Sequence, residues 1–196
     1  MMGLYRQVHG MEYEYGSDAM KAQRQQIVLA VVVGSVILIL MSWITFRYIK
    51  GSRFAEIGDI APDIQTTTLS GQSFSLDSLR GQPILLNFFT PWCPPCIQET
   101  PDLILFAKEY GSKVHVVLID RGDGSLLVSG YVTKYHLPKS ITVLLNTNDI
   151  WSQPYGVTGQ PETFLIRPNG VIAYHLMGPL TEPQMVQLAQ LSGMKG

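Results

Sequence analysis

The stretch LLNFFTPWCPPCIQETP, residues 85–101, governs how everything around it is read. With Pro83 and Ile84 added, its first half is a continuous apolar run to Phe89, the pattern of a strand buried on both faces. Pro94 suits the first turn of a helix, where its missing N–H costs no hydrogen bond, and that helix is expected to reach about Tyr110. Cys93 then falls at the helix N-terminus, where unpaired backbone N–H groups and the helix dipole favour a thiolate, so it is the expected nucleophile. Cys96, one turn further in, faces the first sulfur and is shielded, so its proton is held more tightly, as a resolving thiol requires. The two prolines between them stiffen the loop and limit the separation of the sulfurs.

These are the only two cysteines of the chain, which narrows the chemistry further. A zinc site would need a second ligand pair, and covalent haem attachment would need His directly after the second Cys, where Ile97 stands. A purely structural disulfide closing so small a loop would add little stability. A redox-active Cys93–Cys96 pair is therefore expected, with no other cofactor and no metal. His9, His115, His136 and His175 show no metal-ligand spacing.

Strand and helix patterns alternate on either side of this segment. Asp63–Thr68 and Gln72–Ser75 flank a Ser70-Gly71 turn as a short hairpin, and Leu76–Leu79 makes a helical turn. Val114–Asp120, Ile141–Leu145, Thr163–Arg167 and Val171–Tyr174 read as strands, the last two joined by a Pro168-Asn169-Gly170 turn. A helix is expected from about Ser125 to Tyr135, and Thr181 with Gln184 forms a capping box for a closing helix to about Leu191. The sum is an α/β domain, expected as a mostly parallel sheet with helices on both faces.

Upstream, Ile27–Phe46 runs twenty residues without Asp, Glu, Lys, Arg or His. At 1.5 Å rise per residue that is roughly 30 Å, the thickness of a bilayer's hydrocarbon core, with Trp43 and Tyr48 near one end as interfacial anchors. Arg47, Lys50 and Arg53 follow it instead of a small-residue cleavage site, so an uncleaved membrane anchor is expected. Three basic residues flank each side, leaving orientation undetermined by charge. Residues 1–26 lack a helical stripe and are read as a short unstructured tail. Met20 opens MKAQRQQIVLAVVV, an ordinary beginning for an anchored chain, so the tail is expected to be dispensable.

Across 196 residues, 14 Lys+Arg balance 15 Asp+Glu and 46% of residues are apolar, which fits neither a disordered chain nor a nucleic-acid binder. Residues 1–53 carry six basic and three acidic side chains, residues 54–196 eight and twelve, so the anchor half is positive and the larger half negative.

Residues 85–101 resemble the active-site segment of membrane-anchored thioredoxin-like proteins of the TlpA/ResA and CcmG/DsbE branch. GDIAPDIQTTTLSGQSFSLDSLRGQP (58–83) is similar to the hairpin entry of that branch, and YGVTGQPETFLIRPNG (155–170) to its cis-proline segment. The likeness covers about 57–191 and implies a thioredoxin-like fold: a central mixed sheet flanked by helices, with an N-terminal hairpin insertion, behind a single transmembrane helix. It implies that Gln160-Pro161 is a cis peptide packed against the disulfide, presenting the backbone of Gln160 to an extended client chain. It implies an acid/base role for Glu99, because Asn87 occupies the position where cytosolic thioredoxins keep a buried Asp. Glu162 is expected beside the substrate groove, and Trp92 either as contact surface next to the sulfurs or as packing. Arg121-Gly122-Asp123 is set aside as a coincidental tripeptide, and the downstream histidines as ordinary strand or surface residues.

The resemblance also implies the setting: a bacterial single-pass membrane protein whose active domain lies outside the cytoplasm. Its partners would be protein thiols and disulfides, apocytochrome c among them, and a membrane electron-donor protein. Disulfide potentials in this fold span roughly −270 to −120 mV. With Pro-Pro and no His between the cysteines, a reductant is expected. Two other classes compete: a peroxiredoxin-like peroxidase, which has its Thr at Thr90 but Leu86 where a proline is expected, and a non-catalytic client-binding module, which would keep its affinity after Cys93→Ser.

Overall fold

The structure, a computed structural model, describes the backbone of residues 2–51 and 54–195 and the side chains of 20–47 and 54–195. The chain divides into Met1–Arg53 and Phe54–Gly196. The first unit is one helix, α1 (Met2–Gly51). It takes in residues 2–26 of the expected unstructured tail and corrects that expectation for them, residue 1 lying outside the described residues: extending a nucleated helix is inexpensive, and the first proline of the chain is Pro62. Within α1, Met20–Arg47 is long and apolar enough to cross a membrane and includes the expected anchor. The Ser35 and Thr45 hydroxyls donate back to the carbonyls of Val31 and Met41, giving each a partner within the helix.

The second unit is built on β1 (Gln65–Thr68), β2 (Ser73–Ser75), β3 (Ile84–Phe89), β4 (His115–Asp120), β5 (Ile141–Leu145), β6 (Glu162–Ile166) and β7 (Ile172–Met177). They form one sheet in the order β2-β1-β5-β4-β3-β6-β7. Only β3 with β4 and β4 with β5 pair in parallel, and the other four pairings are antiparallel, so the sheet is mixed and not mostly parallel. The cause lies after β5. A 3-10 turn at Thr147–Asp149 and a short helix, α4 (Ser152–Tyr155), keep the chain at the end of the sheet where β3, β4 and β5 all finish, so β6 must run back against β3. A parallel β6 would have needed a full crossover.

Three helices cover one face: α2 (Pro94–Tyr110), α3 (Ser125–Lys134) and α5 (Glu182–Leu191). Leu85 and Phe89 of β3 meet Leu103 and Phe106 of α2, Tyr131 of α3 and Met185 of α5 there. Ile84, Leu86 and Phe88 point to the other face, against Ile64, Leu76, Tyr155 and Phe164. That face is covered by α4, the Leu76–Leu79 turn and the segment around Ile64, so helices flank the sheet unequally. Every residue of β3 is buried, as its apolar run demands, with Asn87 as the one polar member. The α5 capping box forms as expected, with Thr181 and Gln184 bonded reciprocally. Pro101 lies inside α2, so the carbonyl of Ile97 goes without its helical N–H partner.

Candidate redox-active site

Because β3 and β4 run in parallel and β6 runs against them, three chain segments meet at one end of the sheet. They are the turn after Phe89, the loop after Asp120, and the approach to Glu162. In parallel sheets the carboxyl ends of strands are where sites form.

Cys93 is the N-cap of α2, and Pro94 fills the first turn. Its Sγ accepts the backbone N–H of Cys96 at 3.3 Å, the N-terminal hydrogen bonding expected of a nucleophilic thiolate. Both sulfurs are free thiols and both residues are buried, Cys93 at 3% and Cys96 at 1% exposure. Burial pushes the Cys96 thiol far above its ordinary value, and the neighbouring Cys93 sulfur adds to the effect. The peptide Gln160-Pro161 is cis, and the Gln160 carbonyl lies 3.6 Å from Cys93 Sγ, so the structure brings the expected cis-proline segment against Cys93.

Glu99 sits one turn after Cys96 and is buried, on the sheet-facing side of α2. Its Oε2 accepts from Asn87 Nδ2 at 3.0 Å and its Oε1 from the Leu180 N–H at 2.9 Å. Asn87 Nδ2 also donates to Thr163 Oγ1 at 2.9 Å, tying the carboxylate to β6. Burial raises the Glu99 carboxyl to about 7, the two donors pull it down, and Asp102 pushes it up again. A carboxyl that titrates near neutrality one turn from a proton-retaining thiol is equipped for acid/base work.

Glu162 is placed differently from its expectation. It is buried beneath the cis-proline loop, with Oε2 accepting the N–H groups of Thr158 at 3.0 Å and Gly159 at 3.4 Å, and Oε1 3.2 Å from His175 Nε2. The His175 ring stacks on Phe164 with centroids 4.1 Å apart. Glu162 therefore supports the loop from inside, and a client chain does not reach it. Trp92 is 61% exposed and its Nε1 donates to Asp123 Oδ1 at 2.7 Å, which makes it surface next to the sulfurs and not packing.

The tripeptide Arg121-Gly122-Asp123, set aside as coincidental, belongs to this end of the sheet, and so does Asp120 before it. Asp120 ends β4 and its Oδ2 accepts the N–H groups of Gly122, Asp123 and Gly124, shaping the turn that carries Asp123 to Trp92. Burial, with the Asp123 carboxylate beside it, raises Asp120 to about 6. Arg121 reaches across to the cis-proline loop. The available signal was positional: Asp-Arg-Gly-Asp directly follows an apolar strand, at the end where the cysteines sit.

A family model described as the AhpC/TSA family matches residues 57–175. Thioredoxin-like protein YneN of Bacillus subtilis strain 168 is 32% identical over 147 residues, 74% of this chain and 85% of that protein. Thiol-disulfide oxidoreductase ResA of Bacillus thuringiensis strain Al Hakam is 28% identical over 155 residues, 76% of this chain and 88% of its own. Among solved structures, a secreted Mycobacterium tuberculosis disulfide oxidoreductase described as homologous to E. coli DsbE superposes with a TM-score of 0.59 at 28% identity, covering 65% of this chain and 95% of that one.

Proposed function

The chain belongs to the AhpC/TSA family and is a thiol-disulfide oxidoreductase of the ResA and DsbE type; from that premise we propose that it is a membrane-tethered reductant of protein disulfides outside the cytoplasm. The observation that carries this reading is the pair of unequal thiols: Cys93 at the mouth of α2 beside the Gln160 carbonyl, and Cys96 buried, its proton held, one turn from Glu99.

The reduced protein acts in two displacements. The Cys93 thiolate attacks one sulfur of a client disulfide, a mixed disulfide forms, and the client's other sulfur leaves as a thiolate. Ionised Glu99 accepts the Cys96 proton, and the Cys96 thiolate attacks Cys93 Sγ. That closes Cys93–Cys96 and expels the client's second thiolate. Two electrons pass to the client and its sulfurs take up two protons. The oxidised protein then needs a dithiol donor in the membrane to return both electrons.

Apocytochrome c, with its pair of haem-site cysteines, is the client we assign. The support is the likeness of residues 85–101 and 155–170 to the branch, together with a Pro94-Pro95 pair that offers no imidazolium to stabilise a strongly oxidising site. Outward placement rests on the same likeness and on the described membrane-length helix ahead of the domain.

Cys96→Ser in the full-length protein tests the reading, because it stalls the reaction at the mixed disulfide. We expect a polypeptide carrying a haem-attachment cysteine pair to stay bound to Cys93, and a membrane-impermeant thiol reagent to reach the domain in intact cells. Labelling only after permeabilisation overturns the placement. Faster turnover of hydrogen peroxide than of protein disulfides overturns the activity and returns Thr90, buried with its hydroxyl unpartnered, to consideration.

A further inference from the structure

The cis-proline loop is gripped from two sides by charges of opposite sign, and only one of the two grips reaches Gln160. From beneath, Glu162 takes the N–H groups of Thr158 and Gly159. From the side, Arg121 Nη1 donates to the Gly159 carbonyl at 3.0 Å and to Gln160 Oε1 at 2.7 Å. Gly159 is thus held at its N–H by an anion and at its C=O by a cation. The Gln160 side-chain oxygen is already taken, so this residue meets a client through its backbone.

Arg121 is itself braced. Nη2 pairs with Asp149 Oδ2 at 3.0 Å and Nε donates to Ser152 Oγ at 3.2 Å. Asp149 Oδ1 accepts from Asn146 Nδ2 at 3.0 Å and from the Ser152 hydroxyl. Asn148 and Asp149 both adopt left-handed φ, 60° and 55°, a costly backbone for two successive side chains, tolerated best by Asn and Asp. The guanidinium is mostly covered, with 17% of its side chain exposed, so these bonds are shielded from competing water.

We propose that Arg121 is the positioning residue of the client-reading loop: bridging Asp149 to Gly159 and Gln160, it fixes the Gln160 backbone beside Cys93, so that an extended polypeptide meets a preset edge. This rests on the reading of the protein as an oxidoreductase of polypeptide disulfides. Arg121 touches no reacting atom. Its loss weakens client binding while the sulfur chemistry proceeds.

The test is steady-state reduction of a synthetic peptide bearing one disulfide by the full-length protein in detergent micelles, with a small dithiol supplied at fixed concentration to re-reduce Cys93–Cys96 and its direct reaction with the peptide subtracted. Losing charge-assisted hydrogen bonds to the loop raises KM for Arg121→Ala about tenfold, with kcat within about threefold of wild type. Arg121→Lys, which keeps the charge but not the fork, recovers part of the difference. If Arg121→Ala does not fold, Gln160→Ala removes the same 2.7 Å bond from its other end and raises KM about threefold. Failure of the wild type to reduce the peptide sinks the oxidoreductase reading, and this inference with it. Turnover by the wild type with KM unchanged in Arg121→Ala, or in Gln160→Ala where the arginine variant does not fold, sinks the inference alone.

Discussion

Glu99 and Glu162 lie on opposite faces of the sheet, both buried and both accepting backbone N–H groups, yet their surroundings differ in one decisive respect. The partners of Glu99 are neutral, an Asn87 amide and the Leu180 N–H, and the charge that bears on it is the repulsive one of Asp102. Glu162 has two amides and the His175 ring. A carboxyl given hydrogen bonds but no counter-charge is left able to change its protonation state near neutrality. One surrounded by donors on a loop it must hold is structural. Two glutamates of equal burial are therefore told apart by their partners, and the proposed division gives chemistry to Glu99 and architecture to Glu162.

The most severe test of that contrast is the pH dependence of stability. Below about pH 4.5 the Glu99 carboxyl is protonated in folded and unfolded chains alike. Between its ordinary value of 4.5 and its folded value of about 7 the folded chain keeps a proton that the unfolded chain gives up, so stability falls as pH rises through this window. Above it the buried charge costs on the order of 3 kcal/mol. Asp120, also raised, titrates in the same window, so the quantity to measure is the difference between wild type and Glu99→Gln in denaturant unfolding at pH 4.5 and pH 8. Glu99→Gln is expected to be the more stable protein at pH 8, and its rate of disulfide closure to lose an inflection near pH 7. Parallel stability curves would show that Glu99 carries no strained proton.

Glu162 is expected to act through its hydrogen bonds. Glu162→Ala strands the N–H groups of Thr158 and Gly159 beneath the loop and should cost about 2 kcal/mol. Thermal unfolding reads the loss, and Glu162→Gln, which keeps an acceptor oxygen, should recover most of it. A Glu162→Gln variant as unstable as Glu162→Ala would show that the loop is not held through those acceptors and would erase the contrast.

What could be read from the sequence follows the same division between local and distant causes. The Cys93-Pro94-Pro95-Cys96 segment, the buried β3 and the α2 start are specified by neighbours along the chain, and they were found to within a residue or two. The α5 capping box is equally local. Strand direction was not: β6 turns back because α4 and the Thr147–Asp149 turn hold the chain at one end of the sheet, and four residues in SQPY carry no periodicity to announce a helix. The helical start of α1 had no stripe to reveal it, since its neighbour downstream supplies the nucleation. Arg121, Asp149 and Gln160 lie up to 39 positions apart, and nothing in Asp-Arg-Gly-Asp says which loop its guanidinium will meet. Glu162 is expected beside the substrate groove on family likeness, but a strand's alternation decides which face a side chain takes, and here it shares Phe164's.

Trp92 is the smallest test and the sharpest for separating contact from support. Its indole is mostly in solvent, so removing it leaves little of the core exposed, while its one described hydrogen bond, to Asp123, fixes the ring's direction rather than its burial. Trp92→Ala should therefore leave the unfolding midpoint within about 0.5 kcal/mol of wild type, as for a surface substitution. It should nonetheless raise KM for a peptide disulfide about fivefold, the loss of roughly 1 kcal/mol of aromatic contact. Trp92→Phe keeps most of the ring area and gives up the N–H, so it reports the Asp123 bond alone, and a KM within twofold of wild type is expected. If Phe costs as much as Ala, the indole N–H and its carboxylate matter more than the apolar face. The loop after β4 would then contribute to client binding through Asp123 as well as through Arg121, and the division between a chemical flank and a supporting flank would have to be redrawn around that loop.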